Sequence, residues 1–278
     1  MYCGKIVSMI AILLFLSIFM MSCTVENLII HDANIRAASP NIPVHIVKNG
    51  DSTRLELSSS LSINDDKKIN INNEYKIEKG ELTIRNNIID AHLDYIIDNK
   101  IAIFTGLEFA KSDDKFLPGI MLGFGFIKKY SNCALRFDVG AAYKANDAEL
   151  RYSYLTNWNF PNGEARVYDS SFGNVNYLPD IFTAVTFNTL HLNDKFDLFV
   201  RMVYYSRSNM SLLQFGILDG EGTSVILDNL MLGGGFSFNL GNGFYSILGF
   251  DYNLVFTDMR RSPYTHLKPF ISVNYNIK

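Results

Sequence analysis

Three residues invite chemistry first. Asp90, His92 and Asp94 alternate along one short run, so in an extended chain all three face the same way. Two carboxylates flanking an imidazole can orient it as a general base or hold a metal ion. An extended chain rises about 3.3 Å per residue, which sets same-face neighbours roughly 7 Å apart. That spacing is too wide for direct hydrogen bonds along the strand, so partners are expected from neighbouring strands. A paired polar interior is therefore the preferred account of the triplet over a catalytic one. Arg201 and Arg207, with Arg260 and Arg261 further on, form a second set. Such arginines can draw anionic ligands or lipid phosphates, but solvated loop charge is the preferred account. The chain holds no nucleophile elbow, phosphate loop, Cys/His metal spacing or dinucleotide fingerprint. No cofactor and no metal site is expected.

The elements carrying these residues have a period of two, the pattern of strands with one apolar face. Phe244, Ser246, Leu248, Phe250, Tyr252, Leu254 and Phe256 share one face, and Tyr245, Ile247, Asp251, Asn253 and Val255 share the other. Cys133, Leu135, Phe137, Val139, Ala141 and Tyr143 oppose Arg136, Asp138 and Lys144 in the same way. Strands are predicted near 52–63, 87–97, 100–110, 116–128, 132–144, 177–190, 195–207, 228–240, 244–257 and 266–277. Stretches near 68–77 and 148–157 also alternate and are placed as hairpin extensions within long loops; counting them in the wall gives twelve strands instead of ten.

The connections alternate in length. Short turns lie at 98–100, 128–132, 192–195 and 240–243. Longer links lie near 64–86, 145–176, 208–227 and 258–265, and the one at 111–115 is a short exception. Short turns on one side and long loops on the other mark outer-membrane barrels, with the turns in the periplasm. Runs of ten to fourteen residues suit a tilted crossing of about 9–11. Phe244, Phe256, Tyr143, Trp158 and Tyr204 lie towards strand ends like an aromatic girdle. The expected fold is an all-β, antiparallel, up-and-down transmembrane β-barrel over residues 51–278, because strands in lipid must close to leave no backbone unpaired. The polar face is then a narrow lumen lined by Glu56, Asp90, His92, Asp94, Glu108, Arg136, Asp138, Lys144, Asp197, Arg201 and Asp251. Charges there must pair with one another, and glycines 119, 123, 125, 233 and 235 share that face.

Ahead of the strands, Lys5 precedes an apolar run from Ile6 to Met21, too short to span a membrane and suited to a secretory signal over residues 1–22. The run ends Met20-Met21-Ser22-Cys23, which resembles a lipobox, with Met20 where leucine is usual; lipidation of Cys23 follows from that resemblance. Residues 23–50, with Pro40 and Pro43, read as an irregular tether. Cys133 is left without a disulfide partner and reads as a small hydrophobe. The net charge of −3 argues against nucleic acid as a partner.

The signal ending in Ser22-Cys23, the proline-containing tether and the hairpin from Ile89 through Asp98-Asn99-Lys100 to Ala102 resemble lipoprotein-type outer-membrane β-barrel proteins of Bacteroidota, most of them uncharacterised. The resemblance implies a bacterial outer-membrane location, contact with outer-membrane lipid and insertion by the barrel-assembly machinery. It names no substrate. Three functions remain open from the residues alone. They are a structural or surface-interacting barrel, a small-solute channel, and an outer-membrane hydrolase around Asp90 and His92.

Overall fold

The computed structural model describes residues 23–39, 41–48, 53–70, 77–112, 115–158, 166–190, 196–211, 224–257 and 264–277. Thirteen strands form one sheet. They are β1 (Cys23–Ala38), β2 (Arg54–Ser62), β3 (Lys67–Asn70), β4 (Gly80–Arg85), β5 (Ile88–Ile97), β6 (Ile101–Ser112), β7 (Lys115–Lys129), β8 (Cys133–Trp158), β9 (Arg166–Thr189), β10 (Phe196–Ser211), β11 (Ser224–Gly241), β12 (Phe244–Thr257) and β13 (Tyr264–Ile277).

Ten of these close a barrel. Antiparallel pairing runs β2-β5-β6-β7-β8-β9-β10-β11-β12-β13, and β13 returns to β2 with Phe270 opposite Ser62 and Ile277 opposite Leu55. The ten strands predicted from the alternation are these ten, and the twelve-strand alternative is set aside. Tight turns join strand pairs at one end. Asp98 and Asn99 both have positive φ (51° and 52°), as do Asn242 (52°) and Gly243 (84°). Two successive left-handed residues make the turn whose twist matches a hairpin, and asparagine, aspartate and glycine tolerate it best. The turn expected at 192–195 lies outside the described residues.

The wall is apolar outside. On β7, Phe116, Ile120, Leu122, Phe124 and Phe126 all stand exposed, and Leu135, Phe137 and Tyr143 do the same on β8. A closed barrel with this exterior has the architecture of an outer-membrane protein, since water would not tolerate so large an apolar belt. The apolar belt ends abruptly on β8. Past Tyr143 the exposed positions become Glu149 and Arg151, and Arg36 of β1 reaches the buried Asp147 at 2.8 Å and Glu149 at 3.0 Å. Burial works against the Arg36 charge, yet the hydrogen bonds to Glu149 and Asp147 carry its pKa above the ordinary value. Membrane rim and water-facing extension thus meet near residue 145.

Beyond that rim stands a five-stranded sheet in the order β3-β4-β1-β8-β9, where β8 and β9 simply continue out of the barrel. The stretch 148–157 is such a continuation. β1 runs antiparallel to β8, from Cys23 opposite Trp158 to Ala37 opposite Asn146, and parallel to β4. Trp158 therefore sits fifteen residues past Tyr143, roughly 50 Å along the strand, and does not belong to the girdle. Phe244, Phe256, Tyr143 and Tyr204 are exposed on the outer face of the wall.

The irregular reading of residues 24–50 is corrected by the structure. Residues 23–38 are strand, and residues 41–48 run extended and almost wholly buried through the middle of the barrel. Four side chains of this run and its approach each seat in a separate cluster of the wall. Ala38 packs with Ile88, Ala110, Leu117 and Ala145. Ile42 packs with Phe104, Phe182, Ala184, Val203, Tyr205 and Met231. Ile46 meets Phe199, Tyr245, Ile247 and Phe270, and Val47 meets Ile96, Ala102, Ile127, Ala134 and Leu190. Each fully buried Ile or Val contributes roughly 1.5–3 kcal/mol. The barrel's core is its own leading segment.

Candidate functional site

The lumen is the chemically dense part of the molecule. Its glycines make room for it. A Cβ on Gly233 would fall 2.2 Å from an Asp251 carboxylate oxygen, and one on Gly125 would fall 2.5 Å from that of Asp138. One on Gly106 would fall 2.1 Å from the His92 ring. Large polar side chains on one strand lie over bare backbone on the next.

Three arginines organise the interior. Arg136 donates from Nη1 to Asp94 at 2.5 Å and from Nε to Asp138 at 2.7 Å, with its guanidinium 5.8 Å from the centre of the Phe104 ring. Arg201 grips Asp251 with two hydrogen bonds of 2.9 and 2.6 Å and sends its third nitrogen to the backbone carbonyl of Ile42 at 2.7 Å. Arg207 pairs with Asp180 at 3.1 Å and donates to the Ala38 carbonyl at 2.9 Å. Tyr205 also donates to Asp180. Two-pronged arginine–carboxylate contacts of this kind are the strongest that neutral or charged groups make in proteins. Lys144 meets Glu108 at 2.5 Å, and Tyr245 donates to Glu56.

The remaining partners come from the threaded segment. His45 Nδ1 lies 3.2 Å from Asp94. Asn41 donates to Asp90 and accepts from Lys268 at 3.1 Å. Lys48 Nζ reaches Asp197 at 2.8 Å and Ser237 at 2.7 Å. Asn188 brackets Val47, donating to its carbonyl at 3.0 Å and accepting from its N–H at 3.2 Å. Lys129 donates to the Lys48 carbonyl at 2.9 Å.

All eleven residues singled out from the alternation, Glu56, Asp90, His92, Asp94, Glu108, Arg136, Asp138, Lys144, Asp197, Arg201 and Asp251, line this interior and are buried. Two expectations about them are overturned. His92 Nε2 lies 2.7 Å from Asp90 Oδ1 on its own strand, and Arg136 bonds Asp138 on its own strand, because side chains two apart lean towards each other over the glycines opposite. Arg201 and Arg207 are interior clamps at 5% and 3% exposure, neither solvated nor free for lipid phosphates. Arg260 and Arg261 lie outside the described residues. His92, at 2% exposure, packs against the wall backbone at Gly106.

Several lumen residues were not singled out as site residues from the sequence. Asp180 and Lys268 stand at inward positions of β9 and β13, and the alternation of those strands already marks them. Asn41, His45 and Lys48 carry no such mark, since their segment has no period. Asn229, Asn253 and His266 add polar atoms to the β11–β13 side of the lumen, and these have no hydrogen-bond partner among the described residues.

No family model and no curated protein matches the chain. Among solved structures it is similar to the translocator domain of the autotransporter NalP from Neisseria meningitidis, at 12% identity and a TM-score of 0.36, over 82% of this chain and 90% of that one. It is similar also to the outer membrane protease OmpT from Escherichia coli, at 9% identity and 0.39, over 81% and 94%. A third is the NanC porin, at 9% and 0.32, over 80% and 100%. What they share with this chain is strand architecture.

Proposed function

We propose that the protein is a bacterial outer-membrane barrel with a structural or surface-interacting role, closed by residues 41–48 of its own chain and carrying a sheet beyond the membrane. The observation behind this reading is the seating of Ala38, Ile42, Ile46 and Val47 in four wall clusters along the lumen. An open channel for small solutes would need that volume. The charged lumen residues serve here to fix the segment in place. Residues 1–22 act as the secretory signal on this reading, and the barrel-assembly machinery inserts the wall into outer-membrane lipid.

The test is conductance in planar bilayers. The whole protein is expected to give no stable ion current. A sustained current from the unmodified protein would refute closure and favour the channel.

A further inference from the structure

We propose that the lumen is a binding track for extended polypeptide and that through it the barrel delivers its own residues 23–38 to the cell surface. The inference rests on the closed-lumen reading and adds a direction to it. Arg54 at the start of β2 donates to Asn99, in the tight turn between β5 and β6. The barrel proper thus begins at the short-turn end. Lys48 lies at that same end, beside Asp197 and Lys129. Ala38 lies at the opposite end, beneath Arg207 and next to Ala145 at the rim. Between them the chain spans about 33 Å if fully extended, enough to cross an apolar band about 25 Å tall. β1 then continues away from the membrane along β8, where Glu149 and Arg151 stand exposed. With the short turns in the periplasm, β1 is outside the cell.

The contacts that hold the crossing segment suit a chain in transit. Arg201, Arg207, Lys129 and Asn188 all address backbone carbonyls or an N–H. Backbone groups recur at every residue whatever the side chain, so such donors can grip successive residues of a sliding strand. Asn41, His45 and Lys48 supply the side-chain contacts that fix the final register. The ligand class is an extended polypeptide, and the occupant is this chain itself.

The experiment is labelling of intact cells with a membrane-impermeant maleimide. The full chain carries Cys23→Ser and Cys133→Ser as background and one new cysteine at a time. Ile29→Cys reports β1, Arg151→Cys reports the outward face of β8 beyond the rim, and Ser131→Cys reports the short-turn end. Each variant is first checked for the same heat-dependent gel shift as the parent. Labelling of Ile29→Cys and Arg151→Cys several-fold above background on intact cells is expected, with Ser131→Cys reacting only once the outer membrane is permeabilised. Protection of Ile29→Cys until permeabilisation would overturn the proposal, whether Arg151→Cys is labelled or not. Closure is judged by current alone: a silent bilayer alongside a protected Ile29→Cys sinks delivery and leaves the plugged barrel standing.

Discussion

Replacing Arg201 is the most informative single perturbation of the lumen. Its guanidinium satisfies both oxygens of Asp251 and the carbonyl of Ile42, and all three sites are buried. Removing one partner of a buried ion pair costs about 3–5 kcal/mol, because the other charge is left uncompensated. Losing the donor to the Ile42 carbonyl adds a penalty of about 1–3 kcal/mol. Lys268 faces Asp251 from the paired position on β13, and its charge offsets part of the loss. Arg201→Met is therefore expected to destabilise the barrel by about 3–5 kcal/mol overall. The double variant Arg201→Met/Asp251→Leu removes the paired charges and leaves the orphaned carbonyl beside a Lys268 amine that keeps its hydrogen bond to Asn41, so about 1–3 kcal/mol is expected. Guanidinium unfolding in detergent, followed by circular dichroism and by the heat-dependent gel shift, measures both. Tryptophan fluorescence is unsuited, since Trp158 is the chain's one tryptophan and lies in the extension, far from the wall. If the double variant proves as unstable as the single one, the stranded carboxylate is not the source of the cost and the account of the lumen fails.

Three further outcomes follow from the same contacts. Ile42→Asp sets an unpaired carboxylate among Phe104, Phe182, Val203 and Met231, so the segment is expected to leave its seat and current to appear in planar bilayers; a silent, folded variant would count against residues 41–48 as the closure. Gly106→Val drives a side chain into His92 and the neighbouring backbone, and loss of the heat-dependent gel shift is expected, whereas Ala91→Val on the lipid face of the adjoining strand should keep it. In the extension, the hydrogen bond from Lys68 holds the Glu81 carboxyl below its ordinary value of 4.5. A lowered pKa means stabilisation that is present above that value and lost as pH falls through the folded one. Lys68→Ala should therefore raise the Glu81 titration towards 4.5, read by NMR of the carboxyl, and an unmoved titration would show the pair to be inert.

How much could be read in advance depends on what makes each element. The barrel strands were legible because lipid outside and charge inside impose a strict period of two over long runs, as on β8 from Leu135 to Lys144. The tight turns at Asn99 and Asn242 were legible because few residues tolerate a left-handed pair. β1 was not. Its parallel partner β4 lies some fifty residues away with no turn between them to announce the pairing, and its apolar positions Ile30, Ala33 and Ile35 slip phase at a register shift between Ile30 and Asp32. The threaded run was less legible still. Pro43 cannot donate to a ladder, and the segment belongs to no sheet, so nothing periodic betrays it. Its partners include arginine and asparagine side chains from strands more than a hundred residues downstream. The alternation identified the inward residues of the wall and left unstated what they would face.

That difference changes the physics assigned to the lumen. With ten strands the interior is narrow, and a wall carrying acids and bases in near balance must either trap water or cross-link itself. The structure adds a third component, a polypeptide strand whose carbonyls accept from Arg201, Arg207, Asn188 and Lys129 and whose apolar side chains fill what the ion pairs leave open. Arg136 spends all three nitrogens on Asp94 and Asp138, whereas Arg201 and Arg207 each neutralise a wall carboxylate and also donate to a carbonyl of the segment. The same charges therefore brace the wall and hold its closure. It follows that the segment and the barrel stabilise each other. Weakening the grip on the carbonyls loosens both together, whereas trimming the sheet beyond residue 145 should leave the wall intact.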